Sequence, residues 1–226
     1  ISSTRRPIMV IDPALHTCEL DCFNEIVRRA PIRYDFRYFA PARFGLADLI
    51  DAQERPSGII VLGSGASVYD DLDWQLSFNT WLLEQLTHGV PCLGICYGHQ
   101  LIAHLFGGKI ELGFNGDKKK GCRRVALNDT CRLETVHSAG STIVSHREVV
   151  VDAGQLDVIA SSADVAVEAI QHPSLPIWGF QPHIEATEAF LRNNQIPLDD
   201  PKHDPKFGYA LINAFVEVTQ HTSADE

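Results

Sequence analysis

The chain has 226 residues, 45% hydrophobic and 21% charged, with a formal net charge of -10. That length can bury one full core without a second domain, so a single unit over 1–226 is expected. The acidic balance excludes a general nucleic-acid binder, which needs a basic surface. No apolar run reaches the ~20 residues of a membrane span. Residues 1–6 carry no apolar signal-peptide stretch.

Taken in chain order, residues 7–12 predict a buried first strand ending in a polar turn. Residues 19–30 have helical spacing through Leu20, Phe23, Ile26 and Val27. A second strand is expected over 33–40, where Tyr34, Phe36 and Tyr38 alternate, and a short helix within 41–55. Gly58-Ile59-Ile60-Val61-Leu62 is the continuous apolar run of a strand covered on both faces. It ends in Gly63-Ser64-Gly65-Ala66-Ser67, and an amphipathic helix follows over 79–88. A strand over 90–95 runs into a helix stopped by Gly107-Gly108.

The second half predicts strands over 123–127, 141–145, 157–161, 165–171 and 177–181. A surface loop over 193–207 and a last helix over 209–219 follow. Alternating strands and helices imply an α/β fold: an open, mixed, mostly parallel sheet with helices on both faces, a flavodoxin-like three-layer sandwich.

The most informative stretch is Gly94-Ile95-Cys96-Tyr97-Gly98-His99-Gln100. It is the cysteine form of the nucleophile elbow, a sharp strand-to-helix turn that exposes its central side chain. A side chain at position 94 or 98 would crowd such a turn. The helix N-terminus aims N–H groups and its positive dipole end at the sulfur, which favours thiolate. A cysteine nucleophile needs a base and a group that orients the base. Gln181-Pro182-His183-Ile184-Glu185 supplies both types at a strand end, with His183 to take the proton and Glu185 to fix the ring. The other five cysteines, Cys18, Cys22, Cys92, Cys122 and Cys131, form no C-x-x-C pair, so neither a disulfide scaffold nor a metal site is expected. This cysteine usage suits a reducing cytoplasm.

Together the two motifs resemble the class I (triad) glutamine amidotransferases, in particular the amidotransferase domain of GMP synthetases. The likeness runs from the first strand to the last helix. It implies a γ-glutamyl thioester on Cys96, with His183 as base and acid and Glu185 as its partner. It also implies that backbone N–H groups near Gly65, beside Ser64, and at Tyr97 hold the oxyanion. Gln100, and the segment holding Ser145 and His146, would contact the substrate. No cofactor is implied. Ammonia would pass to an ATP-dependent synthetase partner.

Two departures stand out. Ser64-Gly65-Ala66 replaces the family's Gly-Gly-Pro, and His183-Ile184-Glu185 replaces His-Pro-Glu, with Pro182 before the histidine instead. The basic cluster Lys118, Lys119, Lys120, Arg123 and Arg124 reads either as a solvated loop and strand edge or as a docking patch for the synthetase. The same triad also serves a γ-glutamyl hydrolase. A non-catalytic module of the same fold is a third reading.

Overall fold

The computed structural model describes residues 6–30, 34–50, 55–197 and 204–221. The first residue of the strand expected from position 33, most of the end of the 41–55 segment, and the middle of the 193–207 loop lie outside them.

The elements in chain order are β1 (Ile8–Ile11), α1 (Leu20–Arg29), β2 (Phe36–Phe39), the one-turn helices α2 (Pro41–Phe44) and α3 (Ala47–Ile50), β3 (Gly58–Val61) and α4 (Gln75–Thr87). Then come β4 (Cys92–Ile95), α5 (Tyr97–Leu105), β5 (Lys109–Leu112), β6 (Lys119–Leu127), β7 (Ala139–His146) and β8 (Glu148–Asp152). The chain continues through β9 (Asp157–Ser161), β10 (Ala169–Gln171), β11 (Ile177–Phe180), α6 (Glu188–Asn193) and α7 (Pro205–His221).

The main sheet has strand order β2-β1-β3-β4-β11-β10-β9-β6-β7. Its first five strands are parallel and the rest pair antiparallel, so the sheet is mixed as expected. Residue alternation explains the two covered faces. Met9, Ile11, Ile59 and Val61 pack with Phe78 and Leu82 of α4 and with Leu101 and Ile102 of α5. The intervening Ile8, Val10 and Ile60 pack with Ile26 of α1 and with Ile212 and Phe215 of α7. Both faces of β1, β3, β4 and β11 are therefore dry, which is why these strands read as unbroken apolar runs, whereas the edge strand β2 alternates and exposes Arg37.

Several boundaries differ from the sequence expectation. α4 begins at Gln75 rather than 79, because Gln75 is buried on hydrogen bonds, not apolar contact: its Nε2 donates to Ser67 O and to the Tyr97 hydroxyl. β10 starts only at Ala169. Its register shifts there, and Glu168 turns inward. β6 starts four residues early. β5 and β8 form a two-stranded sheet that periodicity missed, since only Ile110 of β5 is buried. α6 was also missed; its signal is the cap at Thr187, whose Oγ1 accepts from Phe190 N at 3.2 Å.

Candidate functional site

β3, β4 and β11 lie side by side and end on the same edge of the sheet, so the loops after them converge. The turn after β4 holds Cys96 at φ 52°, ψ -100°, a region L-residues avoid. The turn is held from both sides. Cys96 N donates to Phe180 O of β11 at 2.8 Å, and Cys96 O accepts from Gln100 N at 3.0 Å. A Cβ on Gly94 would lie 2.4 Å from the carbonyl carbon and oxygen of Gly98, and one on Gly98 would lie 2.3 Å from Val61 O. The crowding expected at these two glycines is therefore present.

The turn after β11 carries the base candidate. His183 N donates to Ile143 O of β7 at 2.8 Å, and Ile184 N to Pro182 O at 3.1 Å, which fixes the departure from the usual motif as an ordered turn. The His183 ring lies between groups of complementary chemistry. Nδ1 pairs with Glu185 Oε1 at 2.9 Å, and the ring and Cys96 face the same spot beside Gly63. Phe190 of α6 packs on the imidazole with centroids 4.4 Å apart. Glu185 is 1% exposed, and its Oε2 has no hydrogen-bond partner among the described residues. Burial opposes charge on His183, but Cys96 and Glu185 more than offset it and push its pKa up to about 10. A thiol, an imidazole and a carboxylate in this order can form and resolve a covalent acyl intermediate.

Two cavities adjoin this pair. One, of about 370 Å³, is lined by Cys96, Gln100, Ser145, His146, Arg147 and Glu148. The other, of about 270 Å³, is lined by His183, Glu185, Glu19, Phe190 and Asn193. Ser64, Gly65, Lys118 and Ser145 line both. Sequence reasoning thus named residues that the fold does bring together. The serine that replaces a family glycine has a contact of its own: Ser64 Oγ donates to Pro13 O at 2.7 Å and accepts from Ala66 N at 3.1 Å. Tyr97 presents only its backbone to the turn; its side chain is buried, its hydroxyl meeting Gln75.

Gln100 and His146 act on the wall of the larger cavity. Gln100 Nε2 donates to Glu148 O at 2.9 Å and to Gln181 Oε1 at 3.2 Å. His146 Nδ1 meets the same Glu148 O at 3.0 Å, and its Nε2 accepts from Arg123 at 3.2 Å. Burial, then the Arg123 charge, lowers the His146 pKa to about 3, so it is neutral with its proton on Nδ1.

One member of the basic cluster is corrected by the structure. Alternation along β6 turns Arg123 inward, where it is 7% exposed and bonds Glu168 at 3.0 Å. Lys118, Lys119, Lys120 and Arg124 are exposed, but Lys120 Nζ donates to Asn194 O at 2.7 Å and Lys118 faces both cavities. Arg123 therefore leaves the surface, while the other four stay on it.

Three further residues went unassigned by sequence. Gln181 is fully buried and donates to Cys96 Sγ at 3.8 Å. Asp12 accepts from Ala14 N at 3.0 Å, Glu19 N at 2.6 Å and the Tyr38 hydroxyl at 2.5 Å, so it shapes the loop beside His183. Glu19 has its carboxyl pushed up to about 7 by burial and then by the charges of Glu185 and Asp12. Only Gln181 had a local signal, its place next to Pro182-His183. Among the described residues, no group of three or more His, Cys, Asp or Glu could hold a metal ion.

Comparison with known proteins agrees with this geometry. Residues 37–194 match the model of the family described as glutamine amidotransferase class-I. The chain is 31% identical over 163 residues to a glutamine-hydrolyzing GMP synthase subunit of Methanopyrus kandleri, covering 70% of this chain and 84% of that protein. It is 33% identical over 171 residues to the glutamine-hydrolyzing GMP synthase of Lactobacillus acidophilus; this match covers 75% of the chain but only 30% of that longer protein. In fold it is similar to a glutamine amidotransferase of Thermotoga maritima (TM-score 0.68, 17% identity, 98% and 99% of the two chains). A glutamine amidotransferase of Methylobacillus flagellatus gives a TM-score of 0.69 at 17% identity, covering 98% and 97% of the two chains.

Proposed function

The chain belongs to the class I glutamine amidotransferases, and from that membership we propose that it hydrolyses the γ-amide of L-glutamine through Cys96, His183 and Glu185. The observation that carries this reading is the buried 2.9 Å pair of His183 and Glu185 beside a cysteine in a strained elbow.

Cys96 Sγ attacks the γ-carbonyl carbon. The carbonyl oxygen gains charge and is held by backbone N–H groups, those of Tyr97 at the start of α5 and of Gly65 in the loop after β3. Each such donor contributes a few kcal/mol. His183 gives its proton to the amide nitrogen, the C–N bond breaks, and ammonia leaves. Water then attacks the thioester carbon while His183 takes a proton. The C–S bond breaks, and glutamate is released as the thiol recovers its proton. Glu185 holds the ring by Nδ1 and stabilises its charged form throughout. The α-amino and carboxyl end of glutamine lies in the larger cavity, against the 145–148 segment that Gln100 and His146 hold from behind.

GMP synthases named as glutamine-hydrolyzing are among the relatives. We therefore assign the ammonia to an ATP-dependent synthetase partner, carried on a separate chain or segment. Cytoplasm suits a protein with six free thiols.

Glutamate release from L-glutamine by the purified chain tests the proposal, with Cys96→Ala as control. A glutamine-mimicking electrophile serves as a second readout that needs no partner. Labelling at Cys96 and Cys96-dependent glutamate are expected. Undiminished hydrolysis by Cys96→Ala, or an electrophile that ignores Cys96, would sink it.

A further inference from the structure

We propose that the 270 Å³ cavity beside His183 is a leaving-group subsite, and that through it this chain also takes γ-glutamyl amino acids and short γ-glutamyl peptides besides glutamine. The inference rests on the acyl chemistry proposed above and names its substrate class.

The two cavities divide the reacting atoms between them. Cys96 lines only the larger and His183 only the smaller. The acyl half of a substrate follows the sulfur. The nitrogen that His183 protonates, with anything attached to it, follows the imidazole. Ammonia, like water, needs only about 10–15 Å³ of cavity space. The space on the His183 side is far larger.

That space is also built. Its outer wall is the 13–19 loop, which is anchored at four points. Asp12 accepts from Ala14 N and Glu19 N, Ser64 Oγ donates to Pro13 O, and Arg43 donates to Leu15 O at 3.2 Å. The Ser64 bond requires the serine found where the family has glycine. The opposite wall is Phe190 with Asn193 and Asn194, and Asn194 is fixed by its Nδ2 bond to Phe190 O at 3.0 Å.

The lining chemistry fits an amino-acid leaving group. Lys118 sits at the junction of both cavities, where the α-carboxylate next to the scissile nitrogen would lie. The amide groups of Asn193 and Asn194 and the carboxyl of Glu19 offer hydrogen bonds to the rest of a peptide. Atoms balance as for glutamine. The S–C bond forms as the C–N bond breaks, His183 protonates the departing amine, and water releases glutamate.

Binding to the Cys96→Ala protein separates the cases without turnover. Calorimetry with L-glutamine and with γ-glutamyl-L-alanine should show the dipeptide bound at least about tenfold more tightly. Thr17→Trp and, from the other wall, Asn193→Trp should each bring the ratio of the two affinities close to one. A dipeptide that binds no better than glutamine, with Cys96 of the unmodified protein still labelled by the electrophile, removes the subsite and leaves the triad reading standing. An unchanged ratio in both tryptophan variants also removes it. Absence of both binding and labelling removes the triad reading and the subsite together.

Discussion

The side-chain amide of Gln181 donates to Cys96 Sγ at 3.8 Å while its carbonyl accepts from Gln100 at 3.2 Å. The second bond fixes the first, because an amide whose oxygen is engaged must turn its NH₂ the other way. Gln100 is held in turn by Glu148 O, the carbonyl that His146 also meets. A chain of hydrogen bonds therefore runs from Arg123 through His146, the Glu148 carbonyl, Gln100 and Gln181 to the sulfur. The wall of the larger cavity and the nucleophile are set by one network.

Gln181→Glu should slow iodoacetamide labelling of Cys96 by about a hundredfold at pH 8. It places an acceptor-only, negative group where a donor now faces the sulfur. Gln181→Met, which only deletes the donor, should cost about tenfold. Mass-spectrometric labelling rates for Cys96 against Cys131 check this, and equal rates in all three proteins would show that Gln181 does not act on the sulfur.

The raised pKa of His183 sets a pH dependence with a definite sign. Its charged form is favoured from its ordinary 6.5 up to about 10, with burial opposing and Cys96 and Glu185 prevailing. The imidazolium is the acid that the leaving amine needs. The kcat/KM for glutamine should therefore fall on an alkaline limb near pH 10, and Glu185→Gln should move that limb down by at least about one unit. The stability contribution of the charged ring is complete below about pH 6.5 and fades as pH rises through about 10. The loss of Tm in Glu185→Gln should thus be larger at pH 6 than at pH 10.5. An alkaline limb that stays put in Glu185→Gln would remove the attraction from the account.

Legibility in the sequence followed range along the chain. The elbow is a local pattern that marks Gly94, Cys96 and Gly98, whereas the spacing of His183 and Glu185 says little alone and drew attention only through the resemblance carried by both motifs together. The inner parallel strands β1, β3, β4 and β11 were legible because both faces are buried. What failed depended on partners far away. Arg123 looked like one of five surface cations, yet it points inward because Glu168, 45 residues on, lies there. Gln75 broke the apolar period of α4 because it answers to Tyr97 and Ser67. The cavity beside His183 needs Asp12 to bend the 13–19 loop and Phe190 to bring up α6, and neither has a local signature.

Arg123 should be costly to remove and cheap to replace together with its partner. Glu168 is fully buried, Arg123 bonds its Oε1 and Ser162 Oγ donates to the same oxygen at 2.6 Å. Arg123→Met would strand a buried carboxyl group and should cost about 3–5 kcal/mol of unfolding free energy. Arg123→Met with Glu168→Leu should recover most of that. Both would free His146 Nε2, so the double variant should still raise KM for glutamine. Urea titrations and steady-state kinetics separate the two effects. A double variant as unstable as the single would show that packing, not the unpaired charge, sets the cost.

The backbone at Cys96 predicts an asymmetry between two inactive proteins. At φ 52°, ψ -100° any residue with a Cβ is strained by about 1–3 kcal/mol, and alanine keeps that strain. Glycine does not, although it adds about 0.5–1 kcal/mol of unfolded-state entropy. The Cβ of Cys96 also packs close to the loop after β3, since a Cβ on Gly63 would stand 3.6 Å from it, so its loss offsets a little of the relief. Cys96→Gly should still unfold at a higher urea midpoint than Cys96→Ala, by about 1 kcal/mol with an unchanged m-value. Alanine equal to or more stable than glycine would mean that the elbow is relaxed. The placement of buried Cys96 on the wall of the larger cavity would then owe nothing to stored backbone strain.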